Sequence, residues 1–269
     1  MTDVPNSHER GRAMSNDMFD LHGKVAIVTG GNGGIGQAIA AGLAMAGANV
    51  VIAARNKEKT AGAVQKIKNT GAKCIGLTCD VTKAADVRLA VKKTVREFGH
   101  LDILVNNAGA SANSPPESMT EEQWDGVLDT NLKAAFLFSQ AAYPAFLRAG
   151  SGKIINIGSM MSVFGDKTSV VYSVSKGGVI QLTKSLAIAW AKDNIQVNAI
   201  CPGWFVTDLT APFKDDEEAY QTIIKRTPAG RFGEVDELAG AAVFLSSGAS
   251  SFITGQSVFV DGGFSIKAL

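Results

Sequence analysis

The sequence predicts an α/β fold, one doubly wound parallel sheet of about seven strands with helices on both faces. Three observations carry this. Short runs that are apolar at every position alternate with longer segments of helix formers, and strands apolar throughout are buried on both faces, as in a parallel sheet. Hydrophobic residues make up 46% of the chain and charged residues only 19%, enough apolar surface for a large core. The length of 269 residues lies within the range where α/β folds stay undivided, and no stretch reads as a linker.

The elements follow in order. Val25-Ala26-Ile27-Val28 is an apolar run, followed by glycines and a helix from Ile35 to Ala46. Val50 to Ala53 is a second strand, and Lys57 to Asn69 a helix ended by Gly71. Cys74 to Leu77 is the third strand; Ala84 to Phe98 is a helix stopped at Gly99, the residue type that suits a helix C-terminus. Leu101 to Val105 is the fourth strand and Glu121 to Arg148 one long helical stretch. Ile154 to Ile157 and Val171 to Ala191 form the next pair. Ile195 to Ile200 is the sixth strand, Val235 to Ser246 a helix, and Ser257 to Val260 the seventh strand. Each helix supplies a right-handed crossover between parallel strands. Residues 203–231 form one long irregular interruption, read as a substrate lid. Within it, Lys214 to Glu218 is read as a solvated lid face or a helix start. Residues 1–20 are polar and read as a flexible tail, leaving 21–269 as one domain.

Several function classes are excluded on composition. A net charge of +1 gives no reason for a nucleic-acid or anionic-lipid partner. No apolar run approaches the ~20 residues that span a bilayer. The N-terminal stretch lacks the apolar centre of a signal peptide. The three cysteines, Cys74, Cys79 and Cys201, fit a reduced setting, so a cytoplasmic location is expected. Cys74 and Cys79 lack a Cys/His cluster, so no metal site is expected. His8, His22 and His100 lie outside every motif and read as surface residues.

The first turn after a strand reads Thr29-Gly30-Gly31-Asn32-Gly33-Gly34-Ile35-Gly36 and opens a helix. Glycines let the backbone approach a pyrophosphate, and a helix N-terminus offers it unpaired N–H groups. The second strand ends Ala53-Ala54-Arg55-Asn56, with no carboxylate for a ribose hydroxyl and a guanidinium suited to a 2′-phosphate. NADP(H) is therefore favoured, with NAD(H) as the other option.

Tyr172 and Lys176 stand four apart on a predicted helix, so phenol and ammonium share a face. Ser159 ends the fifth strand. A phenol beside an ammonium is expected to titrate below about 10, towards neutrality. A hydroxyl to hold a carbonyl oxygen beside a proton donor suits the interconversion of a ketone and a secondary alcohol.

From about Leu21 to Gly263 the chain resembles the short-chain dehydrogenase/reductase family. The matching motifs are Thr29-Gly30-x-x-x-Gly34-x-Gly36, Asn106-Asn107-Ala108-Gly109, Ser159, Tyr172-x-x-x-Lys176 and Pro202-Gly203. The resemblance implies a Rossmann-type sheet of order 3-2-1-4-5-6-7, often in a homotetramer. It implies a catalytic tetrad of Asn131, Ser159, Tyr172 and Lys176, with Asn131 holding a water that relays protons from Lys176. Asp80, with Val81, would lie near the adenine; Asn107, Ala108 and Gly109 would line the adenosine side and brace the sheet. Lys176 would hold the nicotinamide ribose, and Pro202, Gly203 and Thr207 would meet the nicotinamide.

The substrate is expected against Ser159, Met161, Tyr172 and Trp204. Met160, Val163, Phe164, Phe205 and Phe213 are expected to make the pocket partly apolar, with Ser111, Asn113 and Ser114 as polar contacts. The stretches 154–162 and 227–233 look most like sugar-acid dehydrogenases within the family, although no arginine stands beside Ser159 for a substrate carboxylate. A 3-oxoacyl thioester reductase is the alternative enzyme; it needs a basic pocket mouth for an acidic carrier protein or coenzyme A, with Lys214, Lys225 and Arg226 as candidates. A catalytically silent NADP-binding protein is the alternative of another class. The helix from Val179 to Ala191 is apolar on more than one face, which favours a subunit interface.

Overall fold

The computed structural model describes residues 16–267. Seven parallel strands, β1 (Val25–Thr29), β2 (Asn49–Ala54), β3 (Cys74–Thr78), β4 (Ile103–Asn106), β5 (Gly152–Ile157), β6 (Ile195–Pro202) and β7 (Ser257–Val260), form one sheet of order β3-β2-β1-β4-β5-β6-β7. The order reverses between β1 and β4, and ligands of such sheets bind beyond the strand ends at that point.

The alternation within each strand sorts the core into two layers. Val28, Ile52, Val105 and Ile155 meet α1 (Gly34–Met45), α2 (Lys57–Lys68) and α9 (Ala239–Ser246) through Ile39, Leu43, Ile67 and Leu245. Ile27, Val51, Leu104 and Ile154 face the opposite way, onto α3 (Ala84–Phe98), α5 (Ala134–Ala149) and α6 (Val170–Trp190) through Val91, Phe138, Phe146 and Leu186. At the far end of the sheet the buried Asp102 carboxylate accepts from Val25 N at 2.9 Å and pairs with Lys24 at 3.1 Å. His100 lies on that same carboxylate, His22 pairs with Asp20, and His8 falls outside the described residues.

Three segments differ from their sequence expectation. The stretch from Glu121 to Arg148 is not one regular helix: α4 (Glu121–Leu128) and α5 are joined by a single π turn, Asp129–Lys133. Such bulges often mark functional sites, and this one carries Asn131. Residues 203–231 are not irregular either; they contain α7 (Ala211–Asp215) and α8 (Glu217–Arg226). Asp216 caps α8 by accepting from Glu218 N and Ala219 N, acids fill its first turn, and Lys225 and Arg226 its last, matching the helix dipole. The third is the tail, whose residues 1–15 lie outside the described residues. Asn16–Phe19 forms a 3-10 turn, with the Phe19 ring 6.4 Å from that of Phe244. Among the described residues no helix is long and apolar enough to cross a membrane.

Candidate active site

The glycine turn is held from two sides. Asn107 Nδ2 donates to Thr29 O at 2.9 Å and Gly30 O at 3.3 Å, while Thr29 Oγ1 accepts from Asn107 N and Ala108 N. On the other side Asn32 Nδ2 donates to Thr60 Oγ1 of α2 at 3.1 Å. Gly30 and Gly34 have φ of +62° and +49°, the left-handed region that suits glycine. A Cβ on Gly36 would lie 2.3 Å from Asn107 Nδ2 and 2.5 Å from Gly30 O, so only glycine allows α1 to approach β4 this closely. Gly33 caps α1 with extended backbone, no side-chain hydrogen bond and no acid in the helix's first turn. A tight cradle ending in an uncapped, positively polarised helix terminus fits a dinucleotide pyrophosphate. Above it, Lys59 Nζ of α2 pairs with Asp208 Oδ2 at 3.3 Å.

The cradle opens into a cleft of about 1240 Å³ at the carboxyl ends of the strands. Gly30, Asn32, Gly33, Gly34, Ile35, Gly36, Arg55, Asp80, Val81, Asn107, Ala108 and Gly109 line its dinucleotide side. Ser159, Met161, Tyr172, Lys176, Pro202, Gly203, Trp204 and Thr207 line the remainder. Asp80 accepts from Thr82 N and Oγ1, and the Thr82 hydroxyl foremost holds its carboxyl below the usual range. Of the expected pocket residues, Val163 and Ser114 are off the cleft wall. Val163 is exposed, and Ser114 is buried with its N–H on Thr168 O. Trp204 packs edge-on against Phe213 at 5.0 Å, and its buried indole N–H has no partner among the described residues.

Asn131 is the one member of the expected tetrad away from the cleft wall. It is buried, with Oδ1 accepting from Ala110 N at 2.7 Å and Nδ2 donating to Ala110 O and Ser175 Oγ, both at 2.9 Å. Both side-chain N–H groups and the side-chain oxygen are thus engaged in bracing. Deeper still, Asn106 Nδ2 donates to Asn156 Oδ1 at 2.8 Å and Asn156 Nδ2 to Thr183 Oγ1 at 2.9 Å, joining β4, β5 and α6.

The electrostatics correct one expectation. Burial raises the Tyr172 phenol above its ordinary value, opposed by a hydrogen bond with Ser159, whereas the spacing to Lys176 suggests a fall. Lys176 is buried, and loss of solvation lowers its pKa to about 8. Its Nζ donates to Ile157 O at 2.7 Å and lies 5.7 Å from the centre of the Tyr172 ring. The ammonium therefore faces the ring and a strand carbonyl, and by itself does not outweigh the burial of the phenol.

Sequence reasoning passed over Ser175 and gave Lys59 and Phe264 no role, and it set Arg226 only at the mouth. Ser175 lies inside the Tyr172–Lys176 motif, and the signal for it is a serine on the buried side of a helix, where a hydroxyl needs a partner. Lys59, Arg226 and Phe264 reach the cleft only through the fold.

Residues 30–265 match the profile of a family described as enoyl-(acyl carrier protein) reductase. A 2-dehydro-3-deoxy-D-gluconate 5-dehydrogenase of Formosa agariphila is 42% identical over 252 residues, covering 93% of this chain and 96% of that one. A gluconate 5-dehydrogenase of Gluconobacter oxydans is 42% identical over 251 residues, 93% and 98% of the two chains. The crystal structure of a gluconate 5-dehydrogenase from Burkholderia cenocepacia in complex with NADP and tartrate superposes with a TM-score of 0.90 at 41% identity, covering 94% of this chain and 99% of that one. The matches span nearly the whole chain, and the chain belongs to the short-chain dehydrogenase/reductase family.

Proposed function

We propose that this protein is an NADP-dependent oxidoreductase that interconverts a ketone and a secondary alcohol on a sugar acid. The observation that carries the reading is the convergence of Ser159, Tyr172 and Lys176 on one wall of the cleft that the glycine cradle opens. Arg55 at the end of β2 is the group for the 2′-phosphate, as no acid stands at that strand end. The gluconate dehydrogenases among the relatives, one crystallised with NADP and tartrate, support both halves of the reading.

NADP(H), when bound, supplies or accepts the hydride at the substrate carbon. Ser159 Oγ donates a hydrogen bond to the substrate oxygen, where negative charge grows during reduction. Tyr172, kept protonated by its burial, gives that oxygen its proton. Lys176 titrates near neutrality, at about 8, and so keeps a proton within reach of the site. In the oxidative direction Tyr172 must first lose its proton, so oxidation gains from alkaline pH and reduction does not. Asn131 positions α6 beneath both residues.

The mouth of the cleft argues against an acidic carrier protein. Of the three basic candidates only Arg226 is on its wall, and Lys214 and Lys225 are not, whereas Asp166, Asp208, Asp216 and Glu218 are. Retention of Ser159, Tyr172 and Lys176 in one cleft argues against a silent binding protein. The helices of residues 203–231 act as the lid, with Trp204 and Phe213 meeting the substrate. Homotetramer assembly is supported by bare apolar side chains on α5 and α6, Phe136 at 40% exposure, Val174 at 46% and Ile188 at 82%. A cytoplasmic location is supported by the unpaired, buried Cys74, Cys79 and Cys201.

The test follows NADPH oxidation with 5-keto-D-gluconate and NADP reduction with D-gluconate, against 3-oxoacyl thioesters and simple ketones. Turnover of the sugar acids above the other classes is expected; turnover of thioesters alone would replace the reading.

A further inference from the structure

Four cationic side chains line the cleft: Arg55, Lys59, Lys176 and Arg226. Arg55 and Lys59 lie at the end of β2 and the first turn of α2, beside the dinucleotide cradle. Lys176 is bound to the Ile157 carbonyl. Arg226, the last residue of α8, is therefore the cation left for the substrate half.

Its exposed guanidinium lies against two rings. Arg226 Cζ lies 5.3 Å from the centre of Phe164 and 4.4 Å from that of Phe264, and the rings stand 6.4 Å apart at 76°. Phe164 lies two residues beyond the turn Met160–Ser162 that Ser159 caps. Phe264 follows β7 in a turn fixed by Asp261, whose carboxylate accepts from Gly263 N at 2.9 Å and Ser265 N at 2.8 Å. Asp261 also packs against Gly203, where a Cβ would fall 2.6 Å from the aspartate Cβ. Thus Ser159, the Pro202-Gly203 turn and the seat of Arg226 share one framework.

Seen from Cζ the two ring centres stand nearly at right angles, so the rings cover one side of the guanidinium and leave N–H groups on its other side available. Among the described residues no carboxylate pairs with Arg226, whereas Arg231, five residues on, is forked onto Glu237 by two bonds of 2.7 Å. Two of the acids on the cleft wall are engaged with backbone: Asp166 accepts from Thr168 N and Ser169 N, and Asp216 from Glu218 N and Ala219 N. A stacked arginine with an unfilled fork, at the substrate end of the cleft, is built to receive a planar anion.

We propose that Arg226 binds the carboxylate of the substrate and selects sugar acids over neutral polyols, an assignment that rests on the sugar-acid reading above. It supplies the arginine that no position near Ser159 in sequence provides. The carboxylate is drawn to the end of α8, and the reacting carbon is left to Ser159 and Tyr172.

The test measures KM and kcat for D-gluconate, and the preference for D-gluconate over D-glucitol, in wild type, Arg226→Gln and Arg226→Lys. D-glucitol carries a hydroxymethyl group in place of the carboxylate. Arg226→Gln is expected to raise KM for gluconate about 10- to 100-fold, the effect of losing a charge-assisted pair, with a much smaller change in kcat. Its preference for the acid is expected to fall with it, while Arg226→Lys recovers part of the loss by keeping the charge without the fork. NADPH affinity, read by fluorescence titration, reports that each variant is folded. A folded Arg226→Gln with the wild-type KM for gluconate overturns the assignment alone. Wild type inert on gluconate and 5-keto-D-gluconate overturns the sugar-acid reading and the assignment with it.

Discussion

Asn131 Nδ2 donates to Ser175 Oγ at 2.9 Å, and Ser175 Oγ donates in turn to the Tyr172 carbonyl at 2.7 Å. The π turn between α4 and α5 is thereby tied to the helical turn that carries the phenol and the ammonium. The same asparagine accepts from Ala110 N at 2.7 Å, just beyond the C-terminal end of β4. Asn131→Ala leaves buried donors and acceptors on both sides unpaired. It is expected to cost about 1–3 kcal/mol of stability and to lower kcat. Urea denaturation and steady-state rates check this, and Ser175→Ala is expected to reproduce part of both effects.

Tyr172→Phe removes the proton donor and leaves the ring in place. Turnover is expected to fall by about 10²- to 10⁴-fold, the usual contribution of a positioned acid, with NADPH affinity retained. A Tyr172→Phe enzyme with near wild-type turnover would remove the phenol from the mechanism.

The buried ammonium of Lys176 makes stability depend on pH. Its folded value of about 8 lies below the ordinary 10.5, so between these values the unfolded chain holds more protons than the folded one. Stability therefore rises with pH across that window, and below about 8 the full cost of the buried charge is present. Lys153, also lowered to about 8 by burial, adds a slope of the same sign. Lys176→Met is expected to flatten the rise without abolishing it, as read from denaturation midpoints at steps through the window.

Arg55→Ser tests the cofactor preference. Loss of a charge-assisted phosphate contact is expected to weaken NADPH binding by about 10- to 100-fold and NADH binding little. Equal weakening of both would move 2′-phosphate recognition to another residue.

Gly36→Ala drives a methyl group to 2.3 Å from Asn107 Nδ2, so either α1 or the Asn107 bracket must move. Overpacking of this kind costs about 1–3 kcal/mol. Cofactor affinity is expected to fall together with the thermal midpoint, because the displaced groups form the cradle.

The strands and the cradle were legible because their determinants are local. Val25 to Val28 is apolar at every step, and the glycines beyond it sit where positive φ or close approach demands them. Tyr172 and Lys176 were legible through helical spacing. What escaped depends on contacts distant in sequence. Nothing near Asn131 announces a π turn, and the partners of its side chain, Ala110 and Ser175, lie 21 and 44 residues away. The start of α8 was legible only as one of two readings, because its acid-rich run suits a helix start and a solvated face equally. The rise of the Tyr172 pKa escaped because spacing shows a neighbouring charge but not the burial that opposes it. Arg226 becomes a candidate for substrate only once Phe164 and Phe264, 100 residues apart, are both seen against it.

The cleft opens with Gly30 and is completed by Phe264, so almost the entire chain must be made before it exists. At roughly 5–20 residues per second, that interval on the ribosome is on the order of ten to fifty seconds. During it β1 can pair with β2 and β4, while β6 still lacks its outer neighbour and Arg226 one of its rings. A chain cut short after α8 holds Ser159, Tyr172 and Lys176 but lacks α9, which packs on α1 behind the cradle, and β7, the neighbour of β6. It is expected to fold poorly and to bind neither cofactor nor substrate.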